Sequence, residues 1–209
     1  MGTLPRARID MFEQPFNFVR KINHGKHIVL FYEEPEYARM ILFEFIKNGL
    51  SQREHCVYVS EENIEMVKRE MSDAGIDIHD FIKNELLLIH QIPDIAASRI
   101  PQVAFDRLPQ ITLHPWTKEA QPDRLVLRSI FEVDTEDQMI SNLQWERDYR
   151  YRDLKGLKGT MICAYPVNNI ILTISDLGNY GKWMNNLLEI YDGVIFARKF
   201  WKGVAFSLD

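Results

Sequence analysis

Apolar residues follow two rhythms along this chain. Residues 27–32 ("HIVLFY"), 55–60 ("HCVYVS"), 86–92 ("LLLIHQI") and 159–166 ("GTMICAYP") are short, nearly unbroken apolar runs. Runs that lack polar alternation are the pattern of strands covered on both faces. Between them the spacing lengthens to that of helices: Ala38, Ile41, Leu42, Phe45 and Ile46 share one face, as do Ile64, Val67, Met71 and Ala74. Gly49 and Gly75 read as the stops of these two helices. Ser60 reads as the cap of the second, with Glu61 and Glu62 in its positive first turn.

The same reading continues toward the C-terminus. "IDIHDFIKN" predicts a short helical turn, and the span 93–123, with Pro101, Pro109, Pro115 and Pro122, predicts a broken helix and irregular chain suited to a lid or partner surface. A fourth strand begins in "RLVLRSIFEVD". Thr135 and Gln138 then have the spacing of a capping box for a helix running to about Lys155. After a helix around "SDLGNYGKWMNNLLEIYDG", the run "VIFARKFWKGVAFSLD" reads as a hairpin with a Lys-Gly turn. Strands alternating with helices imply a mostly parallel central sheet with crossover helices, an α/β fold with a C-terminal β-hairpin. With 209 residues, one domain over 24–209 behind an N-terminal extension, 1–23, is the expected division.

Charge narrows the functional classes. A formal net charge of -5 makes nucleic acid and anionic membrane poor partners, since both require clustered Lys and Arg. The N-terminal stretch has no continuous apolar segment of the signal-peptide kind, and no run is long enough to span a membrane, so a cytoplasmic location is expected. The two cysteines, Cys56 and Cys163, lie in core-strand patterns and read as buried thiols. His24 and His27 ("HGKH") lack supporting ligands at metal-site spacing and read as structural or surface residues. The arginines of "QWERDYRYRD" alternate with acids, which favours a solvated or interface helix over base stacking.

Ligands of open α/β sheets collect at the carboxyl ends of the strands. Those ends carry Tyr32, Glu33 and Glu34, then Ser60 and Glu61, then His90, then Glu132 and Asp134, and finally Tyr165. After the first strand, "YEEPEYARM" stands where a phosphate-binding G-x-x-x-x-G-K-[ST] loop would lie. A proline removes an amide there, and two glutamates place negative charge where phosphate would sit. ATP binding at this loop is therefore not expected.

The succession "GKHIVLFYEEPEYARMILFEFIKNGLSQREHCVYVSEEN", with the later "GTMICAYP", resembles the MEDS sensory domain family over roughly residues 24–166. The resemblance implies a RecA/KaiC-like three-layer core that has lost its phosphate loop and senses a small organic molecule. Where "YP" closes the fifth strand, a Tyr-Asp pair would be the family expectation. No helix-turn-helix or kinase segment is apparent, so output is expected through a regulatory partner or a homo-oligomer.

The expected ligand-binding set is Tyr32, Glu33, Glu34, Glu61, His90, Glu132, Asp134 and Tyr165, with no catalytic residue, metal or cofactor. Each has a plainer reading beside it. His90 also suits a packed core position, and Glu132 also suits neutralisation by Arg128 or Arg147. Glu132 and Asp134 also suit a divalent ion or acid–base work, which keeps a metal-dependent enzyme as one alternative and a pseudo-ATPase scaffold as another. Phe200 and Trp201 at the hairpin tip read as an oligomer or partner contact, or as packing onto the core.

Overall fold

A computed structural model of the chain describes residues 14–91, 122–128, 159–166, 191–199 and 202–207. Four helices and seven strands lie in these spans. They are α1 (Pro15–Lys21), β1 (His27–Tyr32), α2 (Pro35–Ser51), β2 (Cys56–Ser60), α3 (Ile64–Asp73), α4 (Ile78–Lys83), β3 (Leu87–Gln91), β4 (Arg124–Arg128), β5 (Thr160–Pro166), β6 (Gly193–Lys199) and β7 (Lys202–Ser207). The strands form one sheet in the order β3-β2-β4-β5-β1-β6-β7, parallel except for the antiparallel β6–β7 pair.

The parallel strands are covered on both faces, as their unbroken apolar runs require. Residues in register share a face, and neighbours along a strand alternate. Ile28, Leu30 and Tyr32 therefore point the same way as their partners Ile162, Ala164 and Pro166 of β5. This face, with Tyr58 and Val126, merges with the helices into one core around Ala38, Ile41, Leu42, Phe45 and Ile46 of α2. The opposite face, with Val29, Phe31, Val57, Val59, Leu125 and Cys163, is buried too. Val19 of α1 is fully buried against α2 and the hairpin side of the sheet.

Several local expectations need correction. Gly49 does not stop α2, which continues to Ser51 and is capped at Gln52. A Cβ on Gly49 would stand 2.5 Å from Cδ and Nε of Arg124 and 2.8 Å from Oε2 of Glu54, so the residue answers to a close approach. The cap of α3 is Asn63, whose side chain accepts from the amides of Glu65 (3.0 Å) and Met66 (3.1 Å). Ser60 instead takes the amide of Glu62 at 3.1 Å. Ala74 is the exposed C-cap of α3, and Gly75 follows with φ +78°, a conformation glycine adopts without strain. The terminal hairpin is present, but Lys202 and Gly203 belong to β7, and Lys199 pairs with Lys202. Phe200 and Trp201, between the strands, lie outside the described residues, as do the 93–121 segment and the 135–155 helix expected from the sequence. Cys56 and Cys163 are both buried. Burial pushes the Cys56 thiol far above its ordinary pKa, so it stays a neutral core group.

Candidate functional site

Strand order fixes where a crevice can form. From β2 the chain proceeds outward to β3, whereas from β4 it proceeds the other way to β5. The connections thus diverge above the carboxyl ends of β2 and β4, which is the position where open α/β sheets bind ligands. The last residues of these strands, Ser60 and Arg128, are in register.

Arg128 dominates this point. It is 3% exposed, and its Nη1 donates to Oε2 of Glu62, on the bend between β2 and α3. The same carboxylate accepts from Nη1 of Arg39 in α2 at 2.8 Å and from the Ser60 hydroxyl at 3.4 Å. Arg39 further reaches Glu70 of α3 at 2.8 Å and Glu36 at 3.2 Å. Two helices and two strands are tied into one alternating chain of charges. Its inner members, Arg128 and Glu62, are tolerable out of water only because each is paired.

Two tyrosines complete the cluster. The Arg128 guanidinium carbon lies 5.3 Å from the centre of the Tyr32 ring, a cation–π distance. Burial raises the Tyr32 pKa to about 12, against the pull of Arg128 beside it. Tyr58 is wholly buried, and burial raises its pKa further, again opposed by Arg128. For Arg128 itself burial works against the charge, Tyr58, Tyr32 and Glu62 act the other way, and the net shift is upward, with the Glu62 carboxylate as its anionic partner. Among the described residues, the Tyr58 hydroxyl and Arg128 Nε each lack a hydrogen bond of standard geometry. Buried groups of this kind are normally satisfied by some partner.

The β1–α2 connection is only Glu33 and Glu34 long. The Glu33 amide donates to the Ala197 carbonyl at 3.1 Å, and its carboxylate takes Nε of Arg198 at 3.0 Å, so the connection is fastened to β6. Glu34 occupies the N-cap of α2 without a side-chain cap bond, and Pro35 begins the helix with no amide to offer. No amide cradle for phosphate exists in so short a link.

The expected site residues are therefore divided. Tyr32 joins the Arg128 cluster, and Glu61 lies near enough to act on the Tyr32 hydroxyl electrostatically. Glu33 is committed to β6 and Glu34 to the helix start. His90, in register with Val59, and Tyr165, in register with Phe31, belong to the opposite face of the sheet. Glu132 and Asp134 lie outside the described residues. Arg128, weighed from the sequence as a neutraliser of Glu132, pairs with Glu62. Sequence reasoning missed Arg39, Glu62 and Tyr58 as members of the cluster. Their available signal was an arginine ending an apolar strand, facing a helix that carries a second arginine.

The architecture is that of KaiC-like, RecA-type α/β proteins. A KaiC-like protein, PH0186 from the hyperthermophilic archaeon Pyrococcus horikoshii OT3, superposes with a TM-score of 0.51 at 20% identity, covering 87% of this chain and 74% of that one. The model of the family described as MEDS, "MEthanogen/methylotroph, DcmR Sensory domain", matches residues 26–171, and the chain belongs to that family. No curated protein matches it. Among the described residues no helix is long and apolar enough to cross a membrane.

Proposed function

We propose that this chain is a binding, non-catalytic sensory domain that holds a small organic ligand at the carboxyl ends of β2, β4 and β1 and passes its occupancy to a regulatory partner or to another copy of itself. Membership in a sensory family supports the role. The observation that carries the location is the buried Arg128–Tyr58–Tyr32 cluster at the point where the chain connections diverge, in which the Tyr58 hydroxyl and Arg128 Nε make no hydrogen bond of standard geometry among the described residues. The short β1–α2 link supports a ligand other than a nucleoside triphosphate. Glu61 stays in the proposed ligand set with Tyr32, while Phe200 and Trp201 remain the proposed partner contact.

A thermal-shift screen of small organic metabolites on the full chain tests this reading. Compounds that raise the melting temperature are expected, with the response weakened in Tyr58→Phe. Silence across a broad panel, or responses indifferent to Tyr58, refutes it.

A further inference from the structure

The Glu62 carboxylate is held in the way a bound carboxylate is held. It receives Nη1 of Arg128, Nη1 of Arg39 at 2.8 Å and the Ser60 hydroxyl at 3.4 Å, from two strands and a helix that its own bend does not belong to, apart from Ser60. Guanidinium groups grip carboxylates through directed, charge-assisted bonds. Glu62 is carried by the short bend between Ser60 and the α3 cap at Asn63, so the anion in this cradle belongs to neither β2 nor α3. Beside it, Arg128 Nε and the Tyr58 hydroxyl are buried close to one another, and neither makes a hydrogen bond of standard geometry among the described residues. The cradle therefore has more donors than Glu62 uses.

We propose that Arg128, Arg39 and Ser60 form a carboxylate subsite that the chain fills with its own Glu62, and that the sensed ligand carries a carboxylate that displaces it. The inference rests on the ligand-binding reading above and names the chemical class of that ligand. Charge balance selects the class. Exchanging Glu62 for another monoanion leaves Arg128 neutralised, whereas a phosphate dianion would add charge beside Glu61, Glu36 and Glu70. A ligand carboxylate would also have the Tyr58 hydroxyl and Arg128 Nε as further donors, an advantage over the internal occupant. On displacement Arg39 keeps Glu70 and Glu36 but loses its tie to the β2–α3 bend. The exchange thereby becomes a change in how α2 holds the β2–α3 bend, a two-position element that a partner can read.

The test uses the full chain with sodium formate as probe, against sodium chloride and sodium phosphate at equal ionic strength. Glu62→Ala should melt lower than wild type in chloride, and formate should restore it saturably, by a rise on the order of 5 °C. Phosphate should do no more than chloride, and adding Arg128→Lys should shrink the formate effect. If Glu62→Ala folds only in formate, the proposal is supported in stronger form. Glu62→Gln, which retains the side-chain volume, provides the second formate titration. Absence of a formate-specific rise in both variants, or a rise that is unchanged by Arg128→Lys, overturns the subsite. Matched carboxylates and their primary amides on wild type separate the two readings. Shifts from carboxylates alone support the assignment. Shifts from amides alone overturn it and leave the sensory function standing, while silence in wild type with formate rescue intact supports the subsite and removes the sensory function.

Discussion

Gly49→Ala sets two effects of opposite sign against each other. Gly49 lies inside α2, where alanine is better than glycine by about 1 kcal/mol on helix propensity alone. Space reverses that expectation. The new Cβ would stand 2.5 Å from the middle of the Arg124 side chain, whose Nε donates to Glu54, whose Nη1 donates to the Phe45 carbonyl at 2.9 Å, and whose Cζ lies 4.7 Å from the Phe45 ring centre. Arg124 and Glu54 are 5% and 9% exposed at the side chain, so moving one strands the other out of water. Breaking a buried pair costs roughly 3–5 kcal/mol, which leaves a net loss of about 2–4 kcal/mol. For a chain of this size that is a fall in melting temperature of roughly 5–15 °C. Urea unfolding, with the slope monitored to confirm an unchanged transition, measures it. A Gly49→Ala protein as stable as wild type would refute the reasoning. The same change in a background of Glu54→Gln and Arg124→Met should become neutral or stabilising, because the clash then has no pair to break.

Asn63→Ala should cost about 1 kcal/mol by removing the cap of α3, and hydrogen exchange at the Glu65 and Met66 amides should localise the loss. Equal protection of those amides in variant and wild type would show that the cap is not what stabilises this end. Alkali should destabilise the fold through Tyr32: its pKa is raised from 10.0 to about 12, so the folded state retains a proton that the unfolded chain releases. That stabilisation is complete below pH 10 and is lost as pH rises through about 12, amounting to about 2–3 kcal/mol. Unfolding titrations of wild type and Tyr32→Phe across this window should diverge, and parallel curves would contradict the assignment.

The elements were legible where local patterning decides them. The strands at β1, β2, β3 and β5 stand out as apolar runs, and every residue of the expected α2 face is buried. What failed depends on chain segments distant in sequence. Gly49 answers to Arg124, and the Arg128–Glu62 pair requires knowing that β2 lies beside β4. Near the α3 start, two polar residues three positions apart competed for the cap, and only the geometry of the bend decides for Asn63. The division of the expected site has a different cause. Because both faces of the sheet are buried, the strands carry no polar alternation from which to read parity, so His90 and Tyr165 could not be separated from Tyr32 by pattern.

The two-residue link between β1 and α2 bears on what can be engineered. Substituting glycines and a lysine into it cannot recreate a nucleotide site, because the deficit is one of chain length. Any inserted loop would have to slide or lift α2, which advances about 1.5 Å per residue and is packed along its whole buried face. In this protein the shortness of the link acts as a lock: α2 fills the space a longer loop would need, and making room for one requires rebuilding the core beneath it.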